Sequence, residues 1–303
     1  MTTLPVQRTN HRRGLAELLT DSSAEVVDVR AGSRPLTHRL TVCERGSGRA
    51  LFTAVTADRD EAAPAVEQEG RLLVELRRGD YGPGALVAPR HIGVAEHGGR
   101  SVLLLSPVTG RPLGSAGRQP TRRDVAAVVE WLGALWDGSR LDSSPSDLGA
   151  AALDVLLARH SSDPGRTDVL DRVSAARDRI GQVRVRRTTS HGSLSPDKVG
   201  VERDRVLGVE DWACGTVAGD PLRDLGGFAV ACVGLRIDVL LTSRRSLATA
   251  LRSGVRKGLM SLGVDAHLCA DVLVLAVAEQ AAATDEGRRR AGLAALDSYL
   301  TLT

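Results

Sequence analysis

The sequence predicts an α+β chain in two lobes, a small β-rich one carrying a single helix and a larger helical one. Three observations lead there. Short runs of β-branched residues bounded by Gly and Ser fill the N-terminal third, as in an antiparallel sheet. Past Pro107 the apolar spacing changes to a helical period. At 303 residues the chain is long for one domain and short for three, so a division into 1–107 and 108–303 is expected.

The elements follow in order. Residues 25–30, 36–43 and 50–56 read as strands. Residues 61–78 read as a helix, because Val66, Leu73 and Leu76 recur on one face and Pro64 fits a first turn. The runs 91–96 and 101–106 flank His97-Gly98-Gly99-Arg100 and read as a hairpin. Residues 107–113 look like a hinge. Helices are expected over 122–136, 149–159 and 168–180, then a loop and hairpin over 190–209, then a helix-rich tail over 221–302.

Composition excludes several classes. The 42% hydrophobic residues can bury a substantial core, built mainly from Leu, Val and Ala because aromatics are only 2%. No apolar run approaches the length of a membrane span, and the N-terminus lacks a signal-like apolar stretch, so a cytoplasmic protein with no membrane partner is expected. A net charge of +3 without a basic and aromatic surface pattern argues against nucleic acid. Cys43, Cys214, Cys232 and Cys269 have no paired spacing, which points to small buried apolar residues rather than zinc or disulfides. The basic residues are almost all arginine; Lys198 and Lys257 are the two lysines. That bias, with the Ala, Gly and Val load, suggests a GC-rich bacterial genome.

The most informative text is His191-Gly192-Ser193-Leu194-Ser195-Pro196-Asp197-Lys198, followed by Gly208-Val209-Glu210-Asp211-Trp212 and Gly219-Asp220-Pro221-Leu222-Arg223-Asp224-Leu225. It resembles the catalytic loop and metal-binding segment of the aminoglycoside phosphotransferase and choline-kinase-like family, H-G-D-L-H-P-G-N, I-D-W and G-D-P-x-x-D-L. The resemblance implies a protein-kinase-like fold, and the order of strands, hinge and helices agrees with it. It is specific from Ser190 to Phe228 and rests on order and spacing elsewhere.

The resemblance also defines the machinery, in which every part has a physical task. The phosphate loop would be 30–37, where Gly32 and Ser33 are candidates, but one glycine and Pro35 make a poor cradle of N–H donors. The strand cation would fall at Ala54 by apolar alternation, or at Thr53 or Val55 one residue either way; none is charged. Its helix partner would be Glu69, which without a lysine opposite becomes a solvated charge or the partner of a nearby arginine. Ser193 stands where the family has its catalytic aspartate, and a hydroxyl cannot accept a proton as a carboxylate does. His191 is the one local group that could activate it. Lys198 stands where the family has a metal-ligating asparagine, and an ammonium offers magnesium no lone pair. Asp211 is retained as a metal candidate, with Asp197 as a weaker one, and an ion pair between Lys198 and Asp211 could fill the space of the metal.

Scaffolding residues persist. Asp220 reads as a helix cap before Pro221. The resemblance makes Asp224 a brace for the catalytic loop and Trp212 an apolar body at the lobe interface. The expectation is therefore a degenerate, pseudokinase-like member of this family. It would use no cofactor and transfer no phosphate, and would bind a peptide, a small molecule or a partner enzyme in the cleft between its lobes. The alternatives are a repurposed enzyme, such as a peptide-modifying lyase or cyclase in a biosynthetic pathway, and a weak phosphotransferase using Mg-ATP through Asp197 and Asp211.

Overall fold

The computed structural model describes residues 24–97, 99–114, 119–138 and 141–300. The chain divides into two compact units. The first holds the described residues up to Gly79 together with Ala88–Thr109 and Gly208–Cys214; the second holds Asp80–Val87, Gly110–Leu207 and Gly215 onward. A cut near 107/108 is thus close to one crossover, but two segments change sides. Asp80–Val87 joins the helical unit because Gly84 lies so close to the Leu135 backbone that a Cβ there would stand 2.4 Å from Leu135 N. Trp131 Nε1 also donates to Gly84 O at 2.9 Å. Gly208–Cys214 joins the sheet unit through hydrogen bonds described below.

The first unit is a five-stranded antiparallel sheet with one long helix. Strands β1 (Ala24–Ala31), β2 (Thr37–Glu44), β3 (Ala50–Ala57), β4 (His91–His97) and β5 (Arg100–Leu105) lie in the order β1-β2-β3-β5-β4. Helix α1 (Ala63–Arg78) has Pro64 in its first turn and buries Val66, Glu69, Leu72, Leu73 and Leu76. Register decides which side chains meet it. Arg39 lies opposite Val55, Val55 opposite Leu103, and Leu103 opposite Val94. Side chains directly across neighbouring strands share a face, so this row faces α1. The adjacent row, Leu40, Ala54 and Leu104, faces the other way. Ala54 and Leu40 form a core there with Val29 and Val102.

The second unit is mostly helical: α2 (Gly82–Ala85), α3 (Arg122–Asp137), α4 (Ala150–His160), α5 (Thr167–Gly181), α6 (Pro221–Ala231), α7 (Ile237–Thr242), α8 (Ser246–Ser261), α9 (Cys269–Ala281) and α10 (Glu286–Leu300). Helix α3 begins with a capping box, Asp124 N donating to the Thr121 hydroxyl while the Asp124 carboxylate accepts from Thr121 N. Helix α9 buries Val272 through Ala278 without a break, as a helix surrounded by others must. The segment 107–113, expected as a hinge, contributes a short strand, β6 (Arg111–Pro112), which pairs with β10 (Val199–Glu202). Beyond β10 runs β11 (Arg205–Val209), while β7 (Ser143–Pro145) pairs with β8 (Arg184–Arg186) and β9 (Thr188–Ser190) with β12 (Thr216–Gly219). Among the described residues no helix is long and apolar enough to cross a membrane. All four cysteines are free; Cys43, Cys232 and Cys269 are buried and Cys214 is half-buried.

Candidate functional site

In the sheet unit the cation absent from β3 comes from β2. Arg39 Nη1 donates to both Glu69 oxygens, at 2.8 and 3.0 Å, and lies 3.5 Å from Asp211 Oδ1. Arg39 and Asp211 are each 3% exposed and Glu69 is 0% exposed. Ala54 was the wrong face of the sheet, not merely an uncharged position: it points away from α1, whereas Arg39 shares the α1-facing row with Val55. Glu69 is therefore the partner of an arginine and not a solvated charge.

The electrostatics follow from counting charges. Burial alone would lower the Arg39 pKa, but Glu69, Asp211 and Glu210 more than offset it and leave it raised. Burial raises the Glu69 carboxyl; Arg39 opposes the shift and Asp211 adds to it. The two directions are compatible, because two carboxylates share one guanidinium: Arg39 stays charged and Glu69 takes up a proton more readily.

The turn after β1 is folded onto the segment carrying Asp211. Ser33 N donates to Asp211 Oδ2 at 2.9 Å, and Arg34 Nε to Ala213 O at 3.2 Å. Arg30 makes a two-pronged contact with Glu210 at 2.6 and 3.2 Å. Asp211 itself adopts φ +69°, the left-handed region that aspartate tolerates better than most residues. That turn of the backbone lets Trp212 N reach Glu69 Oε1 at 3.0 Å, while Trp212 Nε1 donates to Val209 O at 2.7 Å and the ring is wholly buried. Gly32 closes the β1–β2 turn through its N–H to Thr37 O. The Ser33 amide, which a phosphate loop would offer to an anion, is thus spent on a carboxylate. The Ser33 hydroxyl and the Arg39 Nε and Nη2 atoms are buried with no protein hydrogen-bond partner.

In the helical unit the loop after β9 (Thr188–Ser190) is held by Asp224. Its Oδ2 accepts from Ser190 Oγ at 2.9 Å and His191 N at 2.6 Å, and its Oδ1 from Gly192 N at 2.7 Å. Gly192 takes φ +77° to aim its amide there. Burial pushes Asp224 up to about 6, and these three hydrogen bonds hold it from rising further. Asp220 caps α6 through Leu222 N, 3.0 Å from Oδ1. Its Oδ2 also accepts from Ser146 Oγ at 2.5 Å and from Asp147 N and Leu148 N at 2.9 and 3.3 Å. The cap was legible in the sequence; the clamp on 146–148 was not.

Lys198 is 9% exposed, and its ammonium donates to Ser193 O at 2.8 Å and to Ser193 Oγ at 2.9 Å. His191 is fully buried and meets Ser193 through the serine's backbone N–H, 3.4 Å from Nδ1. Asp197 is exposed, in the turn Pro196–Lys198. The ion pair expected between Lys198 and Asp211 joins residues of different units; inside its own unit Lys198 is held by Ser193, and Asp211 by Arg39 and Ser33.

Asp211, the retained metal candidate, is engaged inside its own unit by a guanidinium and a backbone amide, and the Lys198 ammonium has no lone pair to offer a cation. Among the described residues no three His, Cys, Asp or Glu side chains come together as a metal site.

A five-stranded antiparallel sheet unit followed in the chain by a mostly helical unit is the kinase-like fold of the aminoglycoside and macrolide phosphotransferases. The chain is similar over 95% of its length to a thermostable mutant of aminoglycoside phosphotransferase APH(4)-Ia (96% of that chain, 14% identity, TM-score 0.61). It is also similar to macrolide 2'-phosphotransferase MphH from Brachybacterium faecium (95% and 98% covered, 19% identity, TM-score 0.57). A third is aminoglycoside phosphotransferase APH(3'')-Id from Streptomyces rimosus (98% of both, 16% identity, TM-score 0.52). At these identities the likeness establishes the fold. No protein-family model matches the sequence, and no curated protein matches it.

Proposed function

We propose that this protein uses the phosphotransferase fold to bind a peptide, a small molecule or a partner enzyme, and does not transfer phosphate. The observation that carries this reading is the Lys198–Ser193 contact. Phosphoryl transfer asks for a carboxylate to accept the proton of the attacking hydroxyl and for oxygen ligands on magnesium. At the two corresponding loop positions this chain pairs an ammonium with a hydroxyl, which supply neither. The engagement of Asp211 by Arg39 and the Ser33 amide supports the same reading.

A second reading, a slow small-molecule phosphotransferase, draws on one specific observation: the Arg39–Glu69 pair restores a cation and a helix glutamate. Calorimetric titration with ATP and magnesium, run beside release of labelled γ-phosphate, separates the two. The first expects no magnesium-dependent heat and no release above a blank. Label transferred to any acceptor, and lost on Asp211→Asn, overturns it.

A further inference from the structure

The sheet unit carries a second concave feature, away from Arg39 and built from the other end of the same row. A groove of about 780 Å³ runs between α1 and strands β4 and β5. Its floor is apolar: Val66, Gly70 and Val74 form a stripe at helical spacing on α1, facing Val94 and Leu103. Gly70 keeps that floor low, since a Cβ there would stand 3.2 Å from Leu103 Cδ1. Val94, on β4, is 61% exposed, so the apolar floor is open to solvent on that side.

Two further observations say what would lie there. First, β4 is the last strand of the sheet, so among the described residues one row of its N–H and C=O groups has no strand beside it. An open edge next to an apolar trough is the geometry that accepts an added strand with alternate side chains pointing into it. Secondly, positive charge gathers beside one end of the groove. Toward the start of α1 Glu67 is paired with Arg71. At the end of α1 Arg78 lines the groove, with Arg77 next to it in sequence and Arg90 close to Arg77, both outside the lining. Among the described residues Arg78 and Arg90 make no ion pair, and Glu75 is the one carboxylate lining that end. Burial pushes the Arg77 pKa down, and the nearby charge of Arg90 adds a smaller push in the same direction.

We propose that this groove docks an extended peptide segment of a partner protein, one with apolar side chains at alternating positions and carboxylates at the end that meets Arg78. The segment would add to the edge of β4, and its charged end would satisfy the arginines. This proposal does not depend on whether the chain transfers phosphate.

The test is fluorescence anisotropy with a short fluorescein-labelled peptide of alternating Val and Thr closed by two Glu. Two controls accompany it: the same peptide closed by two Lys, and an isomer with its Val residues at helical spacing. The Glu-ended peptide should bind saturably, and about tenfold more tightly than either control, a difference of about 1.4 kcal/mol. Val74→Glu should abolish binding, and Arg78→Glu, an exposed change that spares the core, should invert the preference toward the Lys-ended peptide. Equal binding of the two endings, unaltered binding by both variants, or preference for the helical isomer overturns the proposal. So does sedimentation showing a dimer that Val74→Glu dissociates, since a second copy of the chain would then be the occupant.

Discussion

Arg39 on β2 and Glu69 on α1 form a buried ion pair across secondary-structure elements, with Nη1 2.8 Å from Oε1 and neither side chain more than 4% exposed. Asp211, 3.5 Å from the same Nη1, makes the group a cation shared by two carboxylates. Such a group contributes less net stability than its geometry suggests, yet breaking it is expensive, because the partner left behind is a buried uncompensated charge.

Arg39→Met should therefore destabilise the protein by about 3–5 kcal/mol, read as a lower urea midpoint with an unchanged slope. Adding Glu69→Leu to it should recover part of that loss, since the orphaned carboxylate is removed as well. If the two changes simply sum, the residues are not coupled and the charge argument is wrong.

Asp220→Ala removes more than a helix cap. The cap alone is worth about 1 kcal/mol. Ser146 Oγ, Asp147 N and Leu148 N would also lose their shared acceptor. A total loss on the order of 3 kcal/mol or more is expected from stranding those donors. A measured loss of only about 1 kcal/mol would mean that the cap matters and the clamp on 146–148 does not.

Asp224 makes stability depend on pH in a defined window. Its folded pKa, about 6, lies above the ordinary value of 3.8, so the folded state holds the proton more tightly than the unfolded one. The stabilisation is full below the ordinary value and is lost as pH rises through about 6. The roughly 2-unit shift corresponds to about 3 kcal/mol. Urea midpoints measured from pH 4 to 7 in wild type and in Asp224→Asn should show this slope in wild type alone. Parallel profiles would refute the assignment.

These features differ in how far the sequence revealed them. The strand and helix order was legible because apolar period and turn residues act locally. The loop from Ser190 to Asp224 was legible because its motif is contiguous, and Asp220 because a cap is a nearest-neighbour feature. Arg39 was not. Its role depends on the register that sets it opposite Val55, a pairing between strands that no local pattern fixes. Alternation on β3 alone led to Ala54, one residue off in parity, and parity decides the face. A signal did exist on β2: Thr37, Arg39 and Thr41 alternate with His38, Leu40 and Val42, so one face of a buried strand is polar. The grip of Arg30 on Glu210 was invisible for the same reason, since it joins residues 180 positions apart.

The last prediction concerns restoration. Ser193→Asp with Lys198→Asn returns a carboxylate and an amide oxygen to the two loop positions where the phosphotransferase motif has them. Arg39 already places a cation against Glu69, so the outcome turns on Asp211, whose Oδ2 accepts from Ser33 N and whose Oδ1 faces Arg39. A metal would have to displace both contacts, and a phosphate would have to take an amide already engaged. Magnesium-dependent release of γ-phosphate from ATP should therefore stay at the blank rate in the double variant. The variant should also lose about 1–3 kcal/mol of stability, because the Lys198 hydrogen bonds to Ser193 are removed. Release well above the blank would show that the folded turn at Ser33 opens readily and that the two loop positions alone had silenced the chemistry.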